Sequence, residues 1–155
     1  MRFSHVNIVT KDWKRLSKFY MDVFGCVVEG PVRHLSGAEV SKGTGVANAH
    51  IDGVHLKLPG CTCGPTLEIF EYDWQCVESV KLGNSRGITH LAFEVSDLEA
   101  VCSNIIRCGG SMLGRMSIVP VEGLGTCTFV YARDVDRNII EVQSWENHEK
   151  NFGAI

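Results

Sequence analysis

Gly87-Ile88-Thr89-His90-Leu91-Ala92-Phe93-Glu94-Val95 is a short strand-like run in which apolar residues surround one histidine, His90. The chain opens on a near copy of it, Phe3-Ser4-His5-Val6-Asn7-Ile8-Val9. Each copy is followed much later by a second strand-like run built around a glutamate. These are Thr66-Leu67-Glu68-Ile69-Phe70-Glu71-Tyr72 and Asn138-Ile139-Ile140-Glu141-Val142-Gln143-Ser144. Two histidines and two glutamates, each on its own strand in two copies of one pattern, are what the remaining sequence is built around.

Reading outward from these runs, each half predicts a strand, a helix and three further strands. In the first half, Thr10 or Asp12 is placed to cap a helix on which Trp13, Leu16, Phe19, Tyr20 and Val23 recur at helical spacing, and Gly25 supplies the stop. Strands follow over 26–30, 46–58 and 66–72, with Gly53 expected to shift the phase of the second as a bulge would. In the second half, Ser96-Asp97-Leu98-Glu99 reads as a capping box. Leu98, Val101, Cys102, Ile105 and Cys108 line one helix face, Gly109-Gly110 end it, and strands follow over 111–119, 126–132 and 138–144. The histidines are 85 residues apart and the glutamates 73, and residues 33–45, a polar loop with a short helical turn around 37–42, account for the difference. The expected organisation is one domain over 1–155: a first module at about 1–73, a linker at about 74–86, a second module at about 87–146 and a tail over 147–155.

Composition narrows the functional classes. With 45% hydrophobic and 21% charged residues, the 155-residue chain reads as one globular domain able to bury its own core. No apolar run approaches the roughly 20 residues of a spanning helix, and Met1-Arg2 leads directly into a strand, so neither a membrane segment nor a secretory or transit signal is expected. A formal charge of −3 without a basic stripe argues against nucleic acid as a partner. The seven cysteines are odd in number and scattered, and Cys61-Thr62-Cys63 has the wrong spacing for a zinc knuckle. Reduced thiols in a cytoplasmic protein are expected.

Side chains alternate across a strand, so facing follows from parity. If Val6 and Leu91 pack on the helices, His5 and His90 point to the opposite face, and the apolar neighbours of Glu68 and Glu141 place those carboxylates there too. Two neutral imidazoles and two carboxylates suit a divalent first-row metal. Without a cation, two buried carboxylates would repel, and one would have to keep its proton. His50 is expected on the same face by the parity of Ala49 and Ile51, and Gln143 shares the face of Glu141. With Tyr72, these two are the candidate substrate contacts. His34 and His55 lie near loops and read as solvated, Glu94 as a rim or catalytic residue, and Arg115 and Arg133 as surface charges or contacts for an anionic substrate. The 120–125 segment is expected to be a loop.

Ser4-His5-Val6, Phe19-Tyr20-Met21-Asp22-Val23-Phe24-Gly25, Thr89-His90-Leu91-Ala92-Phe93-Glu94-Val95 and Asp134-Val135-Asp136-Arg137-Asn138-Ile139-Ile140-Glu141 together resemble the vicinal oxygen chelate superfamily, which includes glyoxalase I, methylmalonyl-CoA epimerase, extradiol dioxygenases and fosfomycin-resistance proteins. The resemblance implies an α+β fold of the glyoxalase/bleomycin-resistance/dihydroxybiphenyl-dioxygenase type, with two βαβββ modules forming a cupped mixed sheet. It implies His5, Glu68, His90 and Glu141 as ligands of one divalent ion (Ni, Co, Zn, Mn or Fe) and a homodimer acting on a small molecule. The implied activity is that of a metal-dependent isomerase or lyase, lactoylglutathione lyase-like or epimerase-like. It moves a proton through an enediolate of a 2-oxo or thioester substrate, and Glu68 or Glu141 can act as the base. Glutathione-dependent members carry Arg and Asn four residues after the first and second ligands, where this chain has Val9 and Tyr72. Epimerases usually have Gln in place of Glu68. The resemblance leaves open an iron(II) extradiol-type dioxygenase using His5, His90 and Glu141, and a non-catalytic antibiotic-binding protein.

Overall fold

The computed structural model describes residues 2–76 and 80–146. The expected tail over 147–155 and part of the expected linker, 77–79, lie outside the described residues. The chain divides into two compact units, Met1–Ser79 and Val80–Ile155.

The first unit runs β1 (His5–Val9), α1 (Trp13–Phe24), β2 (Val27–Ser36), α2 (Ala38–Thr44), β3 (His50–Lys57) and β4 (Thr66–Tyr72). Its sheet has the order β1-β4-β3-β2, with β1 parallel to β4 and the other pairs antiparallel. The Asp12 side chain accepts from the Arg15 amide at 2.9 Å, and Gly25, at φ 69°, closes the helix in the left-handed conformation. That register turns Leu16, Phe19, Tyr20 and Val23 inward, and all four are buried with Val54, Leu56, Leu67 and Ile69 of the sheet. Residues 33–36, expected in a loop, continue β2, and the expected helical turn is α2.

The second unit runs β5 (His90–Glu94), α3 (Leu98–Arg107), β6 (Ser111–Met112), β7 (Ser117–Val121), β8 (Gly125–Arg133) and β9 (Ile139–Glu146). β5 pairs parallel with β9, and β9 pairs antiparallel with β8. β6 and β7 both pair antiparallel with β8, over 132–133 and 125–129, so they are two pieces of one edge strand interrupted at 113–116. The four-strand order of the first unit is thus repeated, in mixed sheets with few helices: the α+β, two-module fold expected from the sequence. The helix cap is Asp97, which accepts from Ala100 N at 2.9 Å, and not Ser96 of the expected capping box. The expected 120–125 loop shrinks to the tip of the β7–β8 hairpin, because Pro120 and Val121 pair with Thr126 and Gly125.

Candidate functional site

In the first unit, β4 occupies an inner position and carries Glu68 on the face opposite α1. Its neighbours are set by register. β1 brings Asn7 beside Glu68, and β3 brings His55 directly across from it. Asn7 Nδ2 donates to Glu68 Oε2 at 2.9 Å. His55 Nε2 lies 2.9 Å from Glu68 Oε1, and His5 Nε2 lies 3.7 Å from Oε2. The carboxylate is 13% exposed and His55 18%, against 42% for His5, so the Glu68–His55 contact is shielded while His5 faces solvent. His55 Nδ1 sits 2.9 Å from Thr66 Oγ1, and the ring stands edge-on to His5 and to Phe70.

In the second unit, β9 holds Glu141 in the same topological place. Its β5 neighbour is Ala92 and its β8 partner is Tyr131. His90 Nε2 lies 3.0 Å from Glu141 Oε2, and the His90 ring packs on Tyr131 with centroids 5.0 Å apart. Burial, followed by the negative charge of Glu141, pushes the Tyr131 hydroxyl above its usual pKa. The β8–β9 turn that delivers Glu141 is organised by Asp134. Its carboxylate accepts from the Asp136 and Asn138 amides and from Asn138 Nδ2, each at 2.9 Å. This is the Asx-turn role that short acidic side chains fill.

A model of the Glyoxalase/Bleomycin resistance protein/Dioxygenase superfamily matches residues 2–142. The chain belongs to that superfamily. Solved structures with this fold include a glyoxalase family protein from Bacillus cereus, with TM-score 0.78, 17% identity and 94% of each chain covered. They also include a mutant of glyoxalase I from Zea mays, with TM-score 0.63 and 20% identity, covering 92% of this chain and 44% of that one. A third is a mutant of the fosfomycin resistance protein FosX from Listeria monocytogenes complexed with Mn(II) and 1S,2S-dihydroxypropylphosphonic acid, with TM-score 0.50, 16% identity and 90% and 89% of the chains covered. No curated protein sequence matches the chain.

Within this superfamily chain, the structure brings His5 to Glu68 and His90 to Glu141, each pair on the sheet face away from the buried Leu67 and Ile69 or Ile140 and Val142. Tyr72 and Gln143 lie two positions along from Phe70 and Glu141 on those faces, and Gln143 Oε1 takes a contact from Cys127 Sγ at 3.8 Å. His50 is a correction. β3 runs against β4 without a break from Ile51 to Lys57, so Gly53 makes no bulge; the register shift of the sheet lies in β2, between Glu29 and Arg33. His50 therefore falls on the opposite face from Glu68, exposed, 3.5 Å from Asp73. His55, expected to be solvated, takes the place beside Glu68. His34 is exposed and pairs with Asp52 at 2.6 Å. Arg115 is exposed, while Arg133 is buried, its guanidinium donating to the carbonyls of Arg137 and Lys81, and so is no surface charge. A depression of about 590 Å³ lined by Val95, Asp97, Val101 and Arg107 follows α3 and contains none of these candidates.

The donors suit a divalent ion in kind. In each unit the imidazole nitrogen at the carboxylate is Nε2, while Nδ1 of His5 and of His90 lies near the hydroxyl of Ser4 (3.3 Å) and Thr89 (3.2 Å). A hydroxyl accepting from Nδ1–H would leave Nε2 free to bind a cation. Among the described residues no group of three or more His, Cys, Asp or Glu is arranged to hold a metal ion, so neither unit completes a site from its own donors. Neither is any helix among the described residues long and apolar enough to cross a membrane. All seven cysteines are free thiols.

Proposed function

We propose that the chain is a metal-dependent isomerase or lyase of the glyoxalase–epimerase type, moving a proton between adjacent carbons, or on and off one carbon, of a small 2-oxo or thioester substrate. The observation that carries this reading is the matched pair of pairs. His5 with Glu68 and His90 with Glu141 occupy equivalent ladder positions in both halves of a superfamily chain. These four residues would hold one divalent ion, which supplies Lewis-acid stabilisation of charge developing on two neighbouring substrate oxygens. The two glutamates differ in what surrounds them. Both oxygens of Glu68 are held, Oε2 by Asn7 and Oε1 by His55. Glu141 has His90 as its one ion-pair partner among the described residues. Glu141 is therefore the base: it takes the proton from the substrate carbon at a carboxylate oxygen and returns it to the neighbouring carbon, while Glu68 stays fixed. Gln143, next to Glu141 on its face of β9, and Tyr72, beyond Phe70 on the face of Glu68, contact the substrate. Neither Val9 nor Tyr72 offers the cationic and amide contacts of glutathione-dependent relatives, which supports a substrate carrier other than glutathione. Free thiols support a reducing, cytoplasmic setting, and a homodimer of single-domain subunits is the assembly this reading implies.

The test is metal content of the purified protein beside a His90→Ala/Glu141→Ala double variant. Near-stoichiometric metal that is lost in the variant is the expected result, with solvent deuterium then entering 2-oxoaldehyde adducts or CoA thioesters in the presence of the wild type. Oxygen uptake on catechols by an iron-loaded protein would move the chain to the dioxygenases. Equal or absent metal in both proteins after metal-replete growth would leave a binding protein.

A further inference from the structure

His55 belongs to neither histidine of the repeated pattern, yet its ring is held more closely than either. Its Cα partner on β4 is Glu68, and Thr66, two residues earlier on the same face of β4, meets its other nitrogen. Phe70, two residues later on that face, stands edge-on to the ring at 6.0 Å and 84°. His5 closes a further side at 5.7 Å and 89°. Gly53, two residues before His55 on β3, makes room for this arrangement. A Cβ there would collide with the Ile69 carbonyl and the Phe70 ring. A solvated surface histidine has no need of such a setting.

Both ring nitrogens are used, which fixes the tautomer of a neutral ring. Glu68 Oε1 can only accept when ionised, so Nε2 carries the proton and donates it to Glu68, and Nδ1 accepts from the Thr66 hydroxyl. The chain Thr66 O–H to Nδ1, then Nε2–H to Oε1, holds the carboxylate in one rotamer. Asn7 holds the other oxygen from the opposite strand. In the second unit the equivalent ladder position is Tyr131, which makes no hydrogen bond to Glu141 among the described residues.

We infer that His55 is a positioning residue that fixes Glu68 as a metal ligand, acting through the carboxylate and not on the cation; this rests on the reading of Glu68 as a ligand. Outer partners of ligating side chains typically change metal affinity by about 10–100-fold when removed. The experiment measures the dissociation constants of Co²⁺ and Zn²⁺ for the full-length metal-free protein by competition with a chromophoric chelator, alongside its melting temperature. His55→Leu is expected to weaken binding by about 10–100-fold. His55→Gln, whose amide can still donate to Oε1, is expected to recover most of that loss. Thr66→Val, which loses only the hydroxyl, should give a smaller loss in the same direction and carries the test if His55→Leu melts well below wild type. Nitrogen-15 spectra of the metal-free wild type should show the His55 ring as one Nε2–H tautomer. Unchanged affinity in both His55→Leu and Thr66→Val overturns the inference. So does a Gln variant as weak as Leu, which would make the ring itself a ligand. A wild type that binds neither ion overturns it together with the metal reading, an outcome seen before any variant is made.

Discussion

Glu68 and Glu141 occupy the same place in two copies of one topology, yet their surroundings have diverged. Each sits on the strand that pairs parallel with the first strand of its unit and antiparallel with its other neighbour. Glu68 has an amide on one side and an imidazole on the other. Glu141 has a methyl group, Ala92, and a phenol, Tyr131. A hydrogen bond to a charged group is worth about 1.5–3 kcal/mol net, so two of them hold Glu68 where, among the described residues, nothing comparable holds Glu141 beyond His90. A duplicated fold supplies two carboxylates, and in the proposed function the residues beside them would divide the work into a fixed ligand and a base.

The largest expected effect separates those two roles. General base catalysis contributes about 10²–10⁴-fold, so Glu141→Gln should lower turnover by that much even at saturating metal. Glu68→Gln should instead weaken metal binding, and its turnover should recover as metal is added. Titrating Co²⁺ or Zn²⁺ into both variants while following proton exchange at the substrate carbon decides the matter. If both losses are repaired by metal, or neither is, the division of labour fails.

A smaller effect comes from erasing the difference. Ala92 stands where the first unit has Asn7 and is exposed, so Ala92→Asn can place an amide beside Glu141. Tethering the base in this way should cost about tenfold in turnover, equivalent to about 1.4 kcal/mol of activation free energy, without weakening metal binding. Steady-state rates and metal dissociation constants, measured on one preparation, separate the two. Undiminished turnover would mean that an amide beside Glu141 does not hinder it as a base.

The alternation of Val6 and Ile8, Leu67 and Ile69, Leu91 and Phe93, and Ile140 and Val142 was enough to assign faces to His5, Glu68, His90 and Glu141, because a period of two needs only the strand itself. What a residue meets across the sheet depends on register, which no single strand contains. Asn7 could thus be assigned to the face of His5 but not to a contact with Glu68. His55, close in sequence to the β3–β4 turn, reads as solvated for the same reason, and the phase of β3 misleads for His50. Ala49 and Ile51 alternate out of phase with Val54 and Leu56, and a bulge at Gly53 reconciles the two. The sheet stays in register instead, and buries Ile51 on the same face as His55, where Phe70 folds over Gly53. A glycine between two out-of-phase apolar sets marks close approach of a ring as well as a bulge, and the aromatic at Phe70 was the available hint. Ser96 lost the helix cap to Asp97 because both side chains can cap and the choice is made by where Leu98 and Ile105 must be buried.

The smallest effect concerns the seam between helix and following strand, where the first unit has Cys26 and the second Gly110. Burial pushes the Cys26 thiol up from 9.0 to about 11, against a lowering contribution from a backbone hydrogen bond. Below pH 9 the thiol is protonated in both folded and unfolded chains, so its stabilising contribution is fully present. Between 9 and about 11 the unfolded thiol ionises while the buried one does not, and stability falls as pH rises. Gly110 carries no such group, so at this seam the titration belongs to the first unit alone, although burial also raises Cys102, Cys127 and Tyr131 elsewhere in the second. Melting temperatures of the wild type and Cys26→Ala across that range should converge as pH rises, because the variant gives up some packing at neutral pH but lacks the thiol's titration. Parallel curves for the two proteins would show that the Cys26 thiol ionises alike whether the chain is folded or not.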